Sequence, residues 1–152
     1  MTIEAKLFPK IALLEQDIKQ SSSKLLKITI VANEMDFNAA EYFKRKIELN
    51  YPNEIREKLI IVNISKFKPS TMQNPDVIIV LSHQPKEQRT IALWANQNKI
   101  VSFAYDSSDL NYGILSSIYI GKSVKPYLNR KIIKEYNFIF DSYLLQLSKF
   151  TN

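Results

Sequence analysis

Cysteine is absent from the 152 residues, histidine occurs once and glycine twice. Without cysteine there is no disulfide staple, no thiol nucleophile and no thiolate metal site, while a reducing and an oxidising compartment both stay compatible. A single histidine cannot complete a usual zinc site, and no serine stands in a G-x-S-x-G elbow to pair with it. Gly113 and Gly121 are too few and too isolated to build a G-x-G-x-x-G turn or a P-loop for phosphates. Long apolar runs are missing as well: Leu59–Ile64 and Asp76–Leu81 fall far short of the roughly 20 residues that a membrane-spanning helix needs. The opening Met1–Lys6 shows no apolar secretory segment, and a mature exported chain would lack one too, so this end leaves export undecided.

Basic residues outnumber acidic ones, 21 to 15, for a formal charge of +6. The lysines are scattered and no block of five like charges occurs, which describes a solvated basic surface and not a nucleic-acid footprint. No nucleic-acid partner is expected. At 45% hydrophobic content the chain can bury one substantial core, and residues 1–152 are expected to form a single domain.

Hydrophobic spacing supplies the elements. Leu7, Ile11, Leu14 and Ile18 fall on one stripe of a first helix, with Glu15 on its polar side and Pro9 as a kink or a first-turn residue. Leu25–Ala32 reads as a strand. Asp36 is placed to cap a helix through about Asn50 that turns Ala40, Phe43 and Ile47 inward. Lys58–Ile64 and Asp76–Leu81 are rich in Ile and Val, as strands covered on both faces are. Pro85 suits the first turn of a helix through Asn98 presenting Ile91, Trp94 and Ala95. Lys99–Tyr105 forms a fourth strand.

Residues 114–120 and 123–128 alternate as two strands around Gly121-Lys122, a fit to a glycine-first two-residue turn. Pro126 has no N–H for a ladder, so its strand belongs at the sheet edge. Asn129–Tyr136 and Asp141–Phe150 read as closing helices. Strands alternating with helices mean an α/β fold of three layers: a mostly parallel open sheet with an antiparallel C-terminal hairpin at its edge and a closing helix.

Ligand crevices of such sheets lie beyond the carboxyl ends of the strands, which selects Asn33, Ser82, His83, Tyr105 and Asp106. His83 there is read as a surface or structural histidine, though one able to titrate near neutral pH. Asp106 and Asp109 are read as turn-formers rather than an acid/base pair. A response-regulator receiver is excluded because Ser82-His83 stands where its phosphorylatable aspartate belongs. A thioredoxin-like enzyme is excluded for want of Cys-x-x-Cys. The last third of the chain is rich in tyrosine, and Tyr119, Tyr127, Tyr136 and Tyr143 form the candidate partner surface.

In that order of elements the chain resembles the YfiR family, also called HmsC-like. The resemblance rests on Ile3–Ala12 as an opening helix, Leu26–Ala32 with Asp36-Phe37, and the strand Asp76–Ser82. Gly113–Asn129, with its turn glycine, basic residue and strand-ending asparagine, and Ser142–Lys149 complete it. It implies a non-enzymatic periplasmic regulator with no cofactor and no metal. Such a protein would bind the periplasmic part of a membrane diguanylate cyclase and restrain cyclic di-GMP synthesis and biofilm formation. Related domains serve as sensor modules of histidine kinases, which implies the alternative of a small-molecule ligand; a homodimer is also left open.

Overall fold

A computed structural model of the chain describes residues 1–152. One sheet of seven strands, in the order β2-β1-β3-β4-β5-β6-β7, runs through it. β1 (Leu25–Val31), β2 (Leu59–Ser65), β3 (Val77–Val80) and β4 (Val101–Ala104) are mutually parallel, and β5 (Ser116–Ile120) joins β4 in the same direction. β6 (Val124–Leu128) returns antiparallel to β5, and β7 (Lys149–Phe150) lies parallel to β6. The chain is thus an α/β fold with the mostly parallel sheet and antiparallel hairpin that its sequence predicts.

Every residue of β3 and β4 is buried, because helices cover both faces of these central strands. Val77 and Ile79 enter a cluster of 27 buried apolar residues on one face, while Ile78 and Val80 enter a cluster of 11 on the other. The larger cluster receives α1 (Thr2–Ala12), α2 (Gln16–Gln20) and α3 (Phe37–Asn50), the last through the predicted Ala40, Phe43 and Ile47. The smaller receives α4 (Pro85–Gln97), with Pro85 in its first turn and Ile91, Ala92 and Ala95 buried. α5 (Arg130–Tyr136) and α6 (Ser142–Leu147) return to the larger cluster through Ile132 and Leu144.

The connection β1-α3-β2 moves one way across the sheet and β3-α4-β4 moves the other. Crossovers of one hand then require α3 and α4 on opposite faces, as found. Strand order reverses between β1 and β3, and a crevice opens next to that point, beyond the carboxyl ends of β3 and β4.

Four local expectations need correction. The first helix is broken: α1 stops at Ala12 and α2 restarts at Gln16, with the buried Glu15 carboxylate accepting from the backbone N–H of Asp17 (3.0 Å) and Ile18 (3.3 Å). Glu15 is therefore a cap and not a solvent-facing residue. Ile11 and Ile18 are buried as predicted, but Leu7 and Leu14 are only half-buried, and Ala5, Phe8 and Ala12 take their place.

Asp36 precedes α3 without a side-chain capping bond; its Oδ1 lies 3.9 Å from His83 Nε2. The hairpin loop holds three residues, Gly121–Ser123, because Ile120 pairs with Val124, and Gly121 does not have a positive φ. Glycine serves there for space: a Cβ would come within 2.7 Å of the Tyr119 ring. The final helix ends at Leu147, and Lys149–Phe150 becomes the outermost strand. β7 covers only Tyr127 and Leu128, so Val124–Pro126 keeps an open outer edge, where proline is tolerated.

Candidate functional site

β3 runs out into Leu81-Ser82-His83, and β4 into Tyr105-Asp106, side by side at the carboxyl end of the sheet. The start of α3 brings Asp36 and Ala39 over them, and the turn at Ser107–Tyr112 brings Asp109. Together with Met1 these enclose a crevice of about 170 Å³. Ala39, Val80 and Leu81 give it apolar walls; Asp36, His83, Asp106 and Asp109 supply ionisable groups.

Four of the five predicted crevice residues, Ser82, His83, Tyr105 and Asp106, converge on this cavity. Asn33 does not. It lies two residues beyond the end of β1 and donates its Nδ2 to Glu87 Oε2 of α4 at 3.4 Å. Asp36 and Asp109 line the crevice although their sequence contexts signal a helix cap and a turn. Their spacing to other acids carried no hint, because chain segments far apart in sequence bring them together.

The polar groups are held by hydrogen bonds to neighbouring side chains and backbone. Ser82 is buried and its Oγ accepts from the Gln84 N–H at 3.3 Å. Buried Gln88 donates through Nε2 both to the Ser82 carbonyl and to Asp109 Oδ2, the latter at 3.1 Å. Asp106 behaves as predicted, accepting from Ser108 N–H (3.0 Å) and Ser108 Oγ (2.9 Å).

Those two bonds hold the Asp106 carboxyl below the usual range. Burial pushes the Asp109 carboxyl up, and the nearby Asp106 charge adds to the rise. The Tyr105 phenol is raised by burial and by the carboxylates of Glu4 and Asp106, and its ring meets Phe43 edge-on at 6.4 Å.

His83 Nε2 stands 3.9 Å from Asp36 Oδ1, an ion-pair distance if the ring is protonated, and its side chain is 82% exposed. It contacts no hydroxyl nucleophile; the Ser82 Oγ is engaged by backbone. Nor do any three His, Asp or Glu side chains group closely enough to hold a metal ion. What the arrangement offers is a mostly apolar cavity with acidic groups at its rim, suited to holding a solute.

The four candidate interface tyrosines divide between the faces of the sheet. Tyr119 and Tyr127 meet edge-on at 6.0 Å, with Lys149 Nζ 4.0 Å from the Tyr119 ring centre and 5.3 Å from that of Tyr127. Tyr127 also packs on the smaller cluster. Tyr136 is half-buried against the larger one, and Tyr143 projects from α6, 67% exposed. Beside the first pair, Ile120 and Val124 face each other across the loop with 61% and 44% of their surface exposed.

No protein-family model matches the chain, and no curated protein matches it. Among solved structures it is similar to the crystal structure of a conserved domain protein from Vibrio cholerae O1 biovar El Tor strain N16961, at a TM-score of 0.65 and 13% identity. That likeness covers 97% of this chain and 60% of the other, so the chain spans about three fifths of the length of the protein it matches. At this identity the likeness establishes the shared α/β fold.

Proposed function

We propose that the chain is a non-enzymatic sensor domain that binds a small molecule in the crevice beyond β3 and β4 and reports its presence to a signalling partner. The observation that carries this reading is the convergence of Ser82, His83, Tyr105 and Asp106 with Asp36 and Asp109 around one cavity at the carboxyl end of the sheet, next to the point where strand order reverses. The non-enzymatic part of this reading is supported by His83 standing beside Asp36 rather than beside a hydroxyl group. A thermal-shift screen of small metabolites tests it. A true ligand stabilises the fold by an amount that grows with its concentration, about 2.7 kcal/mol at a hundred times its dissociation constant, and raises the melting temperature accordingly. Ala39→Phe, which fills the cavity from its rim, should abolish that rise. A rise that persists in Ala39→Phe would place the site elsewhere, and a screen without any saturable ligand would remove the reading.

A second reading is favoured by Ile120 and Val124, two exposed apolar residues beside the open edge of β6. In it the hairpin docks a partner, which the resemblance to the YfiR family would make the periplasmic part of a membrane signalling protein. The domain would act by stabilising one state of that partner. Val124→Glu with Ile120→Glu should then prevent recovery of a signalling-protein ectodomain on immobilised domain; undiminished recovery would exclude the hairpin as the contact.

A further inference from the structure

The formal charge of +6 is not shared evenly along the chain. Residues 110–134 and 142–152 contain six basic side chains, Lys122, Lys125, Arg130, Lys131, Lys134 and Lys149, and no aspartate or glutamate. The 21 basic residues less these six leave 15, which balance the 15 acidic ones, so the whole excess belongs to the hairpin loop, β6, α5 and β7. All six are exposed, and none lies within ion-pair distance of a carboxylate.

The hairpin adds an apolar component to this charge. Ile120 through Lys125 are six consecutive exposed residues, so the tip projects from the sheet. Ile120 and Val124 pair across it, and Lys122 and Lys125 stand on either side of Val124 in the chain. Lys149 Nζ, over the Tyr119 ring, lies beside them. Glu4 and Asp106 share a recess with Tyr119 and Ile120 on the β4 side. On the other side the charged residues of β6 and β7 are all lysines.

Lysine is depleted at the core of protein interfaces, and a stable one buries about 1,600 Å² in all. A projecting tip with two aliphatic side chains between lysines fits that pattern poorly. A bilayer surrounds such a tip, takes its aliphatic groups at the boundary of headgroups and acyl chains, and holds lysine ammonium groups at an anionic surface.

We infer that the tip Ile120–Lys125 docks on the surface of an anionic lipid bilayer, with Ile120 and Val124 entering below the headgroups and Lys122, Lys125 and Lys149 meeting their negative charges. This contact does not depend on the crevice reading, and at the hairpin it sets a bilayer in place of a protein partner.

Flotation of the whole chain with vesicles tests it. Binding is expected to phosphatidylcholine vesicles containing about a third phosphatidylglycerol, not to phosphatidylcholine alone, and it should fade as salt is raised. Lys122→Gln and Lys125→Gln should each weaken it about fivefold, and Ile120→Ser with Val124→Ser about tenfold. All four positions are exposed, so the fold is kept. Because the chain has no cysteine, Ser123→Cys accepts a single polarity-sensitive fluorophore. Its emission should shift to the blue on anionic vesicles, while the same label on Gln97→Cys, exposed on α4, should not respond.

Failure to float with anionic vesicles overturns the inference, and so does equal binding to phosphatidylcholine alone. Binding that ignores the hairpin substitutions places the contact elsewhere and overturns it too. A silent Ser123 label, with no effect of Ile120→Ser and Val124→Ser, means adsorption by charge alone and removes the docking described. If the hairpin recovers a signalling-protein ectodomain but no vesicles, the tip is a protein contact and the bilayer is excluded. None of these results touches the crevice, which the metabolite screen tests by itself.

Discussion

On the face covered by α1, α2, α3, α5 and α6, twenty-seven buried apolar residues pack into one cluster, whereas the face under α4 gathers only eleven and sets buried polar groups among them. Ser102, Ser117, Gln88 and Asn96 are all buried. Ser102 Oγ accepts from the Leu115 N–H (2.9 Å), Ser117 Oγ donates to the Ala104 carbonyl (2.7 Å), and Asn96 Nδ2 donates to the Gly113 carbonyl (3.0 Å). At the junction of β6 and α5, Asn129 Nδ2 donates to the carbonyls of Leu110 (2.9 Å) and Ile114 (3.1 Å).

Apolar burial is strong and non-directional, while hydrogen bonds are weaker but fix geometry. The thick face therefore supplies stability. The thin face positions the segment from Tyr105 to Leu115, which carries Tyr105, Asp106 and Asp109 to the crevice.

The largest effect belongs to the thick face. Phe8 is wholly buried and stacks on Phe103 at 4.4 Å and near Phe43 at 6.1 Å, joining α1, β4 and α3. Phe8→Ala should cost about 3–5 kcal/mol in urea unfolding, at unchanged slope. A cost below that of any substitution on the thin face would invert the comparison.

Asn129→Ala comes next. It strands the carbonyls of Leu110 and Ile114 and removes the oxygen that accepts from the Ile132 N–H at the start of α5. A loss of about 2–3 kcal/mol is expected. Hydrogen exchange sharpens the distinction: the Gly113 and Leu115 amides should open faster in this variant, while the amides of β1 and β3 keep their ranking. A uniform rise across the sheet would mean that the thin face is not a separate positioning layer.

What could be read in the sequence follows the same division. β3 was legible because burial on both faces leaves an uninterrupted run of Ile and Val, and α3 because Ala40, Phe43 and Ile47 keep helical spacing. β1 and β2 were legible from their Ile and Val content, but β2, expected to be covered on both faces, is the edge strand and exposes Leu59, Ile61 and Asn63 on one of them. The crevice was legible in part, since strand ends locate Ser82, His83, Tyr105 and Asp106 once strand order is assumed. Asp36 and Asp109 were not, because in each case the local chemistry of a cap or a turn is a sufficient account of an aspartate. The break after Ala12 escaped for a related reason: Leu14 and Ile18 continue the helical period across it, while Glu15 is drawn inward as a cap by tertiary contact, including the bridge to Phe140. Two residues, Lys149 and Phe150, carry no strand signal alone and become β7 only by docking on β6.

The smallest effect is a pH dependence, and it sets two neighbours on the thin face against each other. Asp109 has its carboxyl raised above the ordinary 3.8, mainly by burial, so the folded chain binds a proton there more readily than the unfolded one. Its contribution is best at low pH and declines as pH rises from 3.8 through the raised folded value. Asp106 has the opposite sign: its bonds to Ser108 lower the folded carboxyl, so its stabilisation is present above 3.8 and lost as pH falls through the lowered value. Asp109→Asn should therefore gain on the parent in melting temperature as pH climbs from about 3 to about 7, whereas Asp106→Asn should fall increasingly behind it. Carboxyl-carbon resonances followed through the same range should show Asp106 ionising before Asp109. If both titrate together at the ordinary value, neither burial nor the Ser108 bonds hold in solution, and the negative rim is less ordered than the hydrogen bonds of the thin face require.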